Sequence, residues 1–193
     1  YCFCEEGKAK AATVDGKATA DNFKKTFAHL ARIMTKDDHL TIFFVGHGSP
    51  MNALEHNRYT EAWRQLGASI PRPTAVLAIS AHWYVNAIAV TAMPNPRTIY
   101  DFGGFPQELF EYHYPVVGSP EVAQRVASVL PNHSVVMDES QWGIDHGSWS
   151  VLCHVFPDAD VPVVQLSINA NLPARDHVEI GRLLAPLISE DIM

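Results

Sequence analysis

The chain has 193 residues, 47% of them hydrophobic and 18% charged, enough apolar material for one sizeable core in an α/β or α+β domain. A formal net charge of −7 and a pI near 5.7 leave no basic field to attract nucleic acid or an anionic membrane surface, and no apolar run approaches the roughly 20 residues of a membrane span. Ten histidines are the compositional outlier, and they direct attention to metal or proton chemistry.

Residues 1–16 are small and polar and read as a tail. The Cys2-x-Cys4 pair within them is open to two readings, a soft metal site or part of a leader. With Cys153 the cysteines number three, an odd count that builds no disulfide framework and suits a reducing cytoplasm. From Thr19 to Lys36, Phe23, Phe27, Leu30, Ala31 and Met34 recur at helical spacing. The expected division is a tail and accessory helix over 1–40, then an α/β domain over 41–193. A start at Tyr1 and a stop just after a helical pattern suggest a piece of a longer protein.

Thr41–Val45 is a continuous apolar run, the pattern of a strand buried on both faces. It ends in Gly46-His47-Gly48-Ser49-Pro50, which must be a loop. A helix from Asn57 to Ala68 follows, carrying Tyr59, Trp63 and Leu66 on one stripe. Ala75–Ala81 is the second buried strand, with His82-Trp83 at its exit, and Ala87–Thr91 is the third. Residues 94–118, rich in Pro, Gly and aromatics, form a loop long enough to expect a functional or mobile role. Ser119-Pro120-Glu121 opens a helix with a cap and an early proline, and Val122, Val126, Val129 and Leu130 supply its inner face. Ser134–Met137 reads as a short strand, Trp149–Phe156 as a helix holding Cys153 in the core, Val161–Ile168 as a buried strand. Ala174–Ile188 reads as a last helix strained by Pro186. Alternating strands and helices predict an α/β fold with a mostly parallel sheet and helices on both faces.

In such sheets ligands bind at the carboxyl edge of the strands. His47 and His82 each follow a predicted strand and stand one strand–helix–strand unit apart, so neighbouring parallel strands bring them together there. Imidazole is the commonest metal ligand, and the pair begins a divalent-metal site.

Four ordered motifs, Gly46-His47-Gly48-Ser49-Pro50-Met51-Asn52, Ser80-Ala81-His82-Trp83, Tyr100-Asp101-Phe102-Gly103-Gly104-Phe105-Pro106 and Trp142 to Trp149, resemble the class III extradiol dioxygenases. The likeness is to the DOPA 4,5-dioxygenase branch and runs from Ile42 to Met193. The resemblance implies ring cleavage of a DOPA-like catechol with O2 at a non-haem metal, Fe(II) foremost and Zn(II) as the other option. It implies His47 and His82 as metal ligands and His146 as a catalytic acid–base group. The third ligand and another catalytic histidine would lie beyond Met193, so this chain alone is expected to lack a complete site.

Other residues keep open roles. Tyr100, Phe102 and Phe105 wall the catechol pocket or pack in the core, and His113 reaches the site from the long loop. Asp101 and Asp145 are the carboxylates placed to replace a missing ligand, but Asp145 suits orienting His146 or capping a helix better. His29, His39, His56, His133, His154 and His177 read as surface or helix-face residues. Two other functions stay open: a tetrapyrrole metal chelatase-like protein, since a Gly-His-Gly-Ser loop also occurs there, and an inactive binding remnant of the dioxygenase fold.

Overall fold

The computed structural model describes residues 3–4, 16–17 and 45–193. The chain divides into two compact units, Tyr1–Thr41 and Ile42–Met193. In the first, strand β1 (Phe3–Cys4) pairs in parallel with β2 (Gly16–Lys17), where the sequence reads as a tail. The expected helix over 19–36 lies outside the described residues, as does the expected strand at 41–45 except for Val45, which has no regular structure.

The second unit is built on a four-stranded sheet of β3 (Val76–Val85), β4 (Ile88–Thr91), β5 (Val135–Asp138) and β6 (Val163–Asn169), in the order β3-β6-β4-β5. The pairs β3–β6 and β4–β5 are parallel, while β4 meets β6 antiparallel through Val90 and Leu166. The connection from β3 to β4 explains that reversal: Asn86-Ala87 is too short for a parallel crossover, so β4 must run back. The last residues also pair along β3, with the Leu77 N–H donating to the Met193 carbonyl at 2.6 Å and the Met193 N–H to the Ala75 carbonyl at 2.9 Å.

Period-two alternation places a core on each face of the sheet. On β6, Val163 joins one core and Val164 and Leu166 the other. The first core is covered by α1 (Arg58–Ser69) and α4 (His146–Val155) through Trp63, Trp149, Leu152 and Val155. The second is covered by α3 (Pro120–Ser128) and α5 (Ala174–Leu184) through Ala123, Val126, Ile180 and Leu184. The expected α/β architecture with helices on both faces is the one observed.

Local chemistry sets the helix starts. Asn57 and Thr60 form a reciprocal capping box on α1, and Ser119 caps α3 ahead of Pro120. The last helix stops earlier than its apolar pattern: at Ala185 it tightens into a 3-10 turn over Ala185–Glu190, because Pro186 removes a backbone donor. The long loop is not free. It contains the short helix α2 (Gln107–Glu111), and its Thr98 forms a bridge with Ile144. The Ile99 N–H donates to the Ile144 carbonyl, and the Ile144 N–H to the Arg97 carbonyl, each at 2.9 Å. That pairing delivers Asp101 to the start of α4. No helix among the described residues is long and apolar enough to cross a membrane.

Candidate metal centre

His47 sits in a loop held from several sides. Gly48 adopts φ +64°, a left-handed conformation that glycine takes without strain. Ser49 caps the 3-10 turn Pro50–Ala53 by accepting from the Met51 N–H. The Asn52 side chain donates to the His47 carbonyl at 2.9 Å, and Asn57 donates to the Asn52 side-chain oxygen at 2.8 Å. Behind them, His154 Nε2 meets the Asn52 carbonyl at 2.7 Å. His154 is therefore a buried anchor of the loop, 5% exposed, and not the surface residue its helical position suggests.

His82 lies inside β3, not beyond its end. The pairing of β3 with β6 breaks after Ile79–Leu166 and resumes at Tyr84–Ile168, so β3 takes five steps where β6 takes two. The extra residues bulge out of the ladder, and bulges re-aim side chains beside active sites. Within the bulge the His82 N–H donates to Ser80 Oγ at 3.2 Å. His146 is the first residue of α4, directly after its cap, Asp145, whose Oδ1 accepts from the Ser148 N–H.

The three imidazoles converge. One ring nitrogen from each of His47, His82 and His146 lies within 4.8 Å of the others, a cluster that could hold a metal ion. Ring centroids are 5.1 Å apart for His47–His82, 4.9 Å for His47–His146 and 4.1 Å for His82–His146. The Nε2 atoms of His47 and His82 approach to 3.0 Å. Gly147 makes this crowding possible, since a Cβ there would meet His82 Cδ2 and Ser80 Oγ at 2.7 Å.

Electrostatics prepare the rings for a cation. Burial, helped by the neighbouring His146 and His82 rings, lowers the His47 pKa to about 4, so its ring is neutral and keeps a lone pair at physiological pH. Its Nδ1 is buried without a hydrogen-bond partner. Asp101 Oδ1 accepts from His146 Nδ1 at 2.8 Å and from the His146 backbone N–H at 3.2 Å. Burial pushes the Asp101 carboxyl upward, yet the hydrogen bonds from His146 prevail and hold it below the usual carboxylate range. Imidazoles with a carboxylate behind one of them are the donor chemistry of a first-row divalent ion.

Asp101, not Asp145, orients His146. Asp145 is fully buried, caps α4 and takes a short hydrogen bond from the Gln165 side-chain amide. Gln165 Oε1 in turn accepts from the Asp145 N–H at 3.1 Å and from Ser148 Oγ at 3.2 Å. Burial raises the Asp145 pKa, against hydrogen bonds from Ser80 and Gln165.

Of the two roles the sequence leaves open for the aromatic residues, core packing is observed: Tyr100, Phe102 and Phe105 all pack against the first core. Phe102 stands edge-on to His146 at 5.3 Å and also packs on the first core. Phe105 and Tyr100 contact Phe102 at 5.4 and 6.1 Å, and Tyr100 donates its hydroxyl to the Tyr112 carbonyl at 2.6 Å. His113 is exposed and pairs with Thr98 Oγ1 at 2.9 Å, with no contact to the three histidines. Sequence reasoning missed Asn52 and Gln165 and did not foresee the bond between Asp101 and His146. Gln165 had a signal, a lone amide inside the apolar run Val161–Ile168; Asn52 and Asp101 stand in the quoted motifs but carry no local mark of their partners.

The model of the catalytic LigB subunit of aromatic ring-opening dioxygenase matches residues 34–192. Among curated relatives, the "4,5-DOPA dioxygenase extradiol" of Escherichia coli (strain K12) is 52% identical over 161 residues, covering 83% of this chain and 59% of that protein. The protein of the same name from Beta vulgaris is 37% identical over 165 residues, covering 82% and 61%. The crystal structure of an uncharacterized protein from Escherichia coli K12 superposes with a TM-score of 0.63 at 48% identity, over 75% of this chain and 54% of that one. The chain thus spans about three fifths of the length of these curated relatives.

Proposed function

Because the chain belongs to the LigB family of aromatic ring-opening dioxygenases, we propose that the protein carrying it is an extradiol dioxygenase that opens the ring of a DOPA-like catechol with O2. The observation that carries this reading is the convergence of His47, His82 and His146 with Asp101 behind them. The names of the relatives support a catechol as substrate. They favour this function over the chelatase-like alternative, and the retained histidine cluster argues against an inactive remnant.

His47 and His82 would hold the metal. Fe(II) is favoured over Zn(II) because zinc has no redox chemistry to offer O2. When bound, the ion supplies Lewis acidity and redox capacity where catechol and O2 meet. His146, its Nδ1 fixed by Asp101, turns Nε2 toward the site, where it takes a proton from a catechol hydroxyl and returns it later. The carboxylate stabilises the cation formed on His146 in that transfer. Phe102, with Tyr100 and Phe105 behind it, offers an aromatic edge to the substrate ring. His113 would reach the substrate only by leaving Thr98.

The test is oxygen uptake by the full-length protein, loaded anaerobically with Fe(II), on DOPA and simple catechols. A yellow ring-opened product formed with O2 consumption is expected; no uptake across the panel overturns the proposal. His146→Gln should retain the metal and lose turnover, whereas loss of the metal would make His146 a ligand.

A further inference from the structure

We propose that Asp101 is a positioning residue that fixes two site histidines at once, His146 through one carboxylate oxygen and His82 through the other. This inference rests on the reading of His47 and His82 as metal ligands. Oδ1 takes the ring Nδ1–H and the backbone N–H of His146 at 2.8 and 3.2 Å. Oδ2 faces His82 Nδ1 at 3.5 Å, within ion-pair reach but longer than a normal hydrogen bond. A carboxylate only accepts, so a neutral imidazole turned to it carries its hydrogen on Nδ1 and presents an Nε2 lone pair to the site.

The rest of the cluster agrees with that tautomer. His82 Nε2 lies 3.0 Å from His47 Nε2, and two lone pairs cannot face each other at that distance, so without metal His47 supplies the hydrogen there. His47 Nδ1 is then unprotonated, and it is the ring atom buried without a partner. The support is prearranged, because the Arg97–Ile99 backbone is locked to Ile144 two residues before His146. One side chain therefore couples the orientation of a metal ligand to that of the acid–base group.

Asp101→Asn separates this role from a merely structural one. The Asn oxygen must stay on His146, whose backbone N–H is a donor in every state, so the amide NH2 falls opposite His82 Nδ1. There it donates, forces the His82 hydrogen onto Nε2 and removes the lone pair the metal needs. The affinity of the full-length protein for Co(II) or Zn(II) should fall about 10- to 100-fold, with a melting temperature near wild type. A structural role would lower the melting temperature and leave metal affinity unmoved. If the wild type binds a divalent ion and the variant binds it equally well, the inference fails alone. If the wild type binds none, the reading of the site fails with it. Ring-nitrogen NMR of the metal-free wild type supplies a check that needs no variant: hydrogen on Nδ1 of both His82 and His146 supports the inference, and hydrogen on His82 Nε2 overturns it.

Discussion

Replacing Gly147 with alanine puts a methyl 2.7 Å from His82 Cδ2 and Ser80 Oγ and 3.2 Å from Asp145 Oδ1. Ordinary contact begins at 3.4 Å, so the His82 ring must retreat by about 0.7 Å. Two terms oppose each other in stability. Alanine is favoured over glycine within a helix by about 1 kcal/mol, and overpacking costs about 1–3 kcal/mol. The net change in folding free energy is therefore small, from about zero to a loss of about 2 kcal/mol. Metal binding is less forgiving, since a constellation tolerates displacements of only about 0.5 Å. Gly147→Ala should bind Co(II) at least about tenfold more weakly, a cost of about 1.4 kcal/mol, while its urea unfolding midpoint stays close to wild type. Spectroscopic titration with Co(II) beside urea melts measures both. Wild-type affinity with an unchanged Co(II) spectrum would refute the claim that His82 and Gly147 share the space.

Gln165→Leu should destabilise the fold by about 2–4 kcal/mol in urea melts, because Asp145 Oδ2, the Asp145 N–H and the Ser148 hydroxyl lose a buried partner. Phe102→Ala should raise the catechol KM about tenfold through lost aromatic contact, with metal affinity unchanged in the same titration. In the metal-free protein the unfolded chain protonates His47 near pH 6.5 and the folded chain only near 4. Between these values the unfolded state holds the extra proton, so the contribution is complete above pH 6.5 and lost as pH falls toward 4. Melting temperatures across that range should decline with acid, and less steeply in His47→Gln; parallel profiles would count against the assignment. Burial lowers the His154 pKa too, so His154→Gln should flatten the same profile.

The sheet was legible wherever a strand is buried on both faces. Val161–Ile168 reads as β6 because consecutive valines enter opposite cores. The reversal of β4 was not, since direction depends on the short Asn86-Ala87 link and on β6 inserting between its neighbours. Expected strand ends drew attention to His47 and His82, but the bulge inside β3 that aims His82 was hidden, because an apolar pattern does not register extra residues against a distant partner. Asp145 could be read as a cap because its residue type and its place just before a helical stretch are local features. Asp101 gave no such sign: its partner His146 is 45 residues away, and the pairing of Thr98 with Ile144 that helps join them is itself a long-range contact. His154 misled for a related reason, since its burial is set by a carbonyl 102 residues earlier.

Turnover of a catechol under isotopically labelled O2, with mass spectrometry of the product, tests the central claim most directly. The Fe(II)-loaded full-length protein should place both labelled oxygen atoms in a ring-opened product, and His47→Ala and His82→Ala should yield none. A product with one labelled atom or none, or ring opening that survives loss of both histidines, would contradict the account.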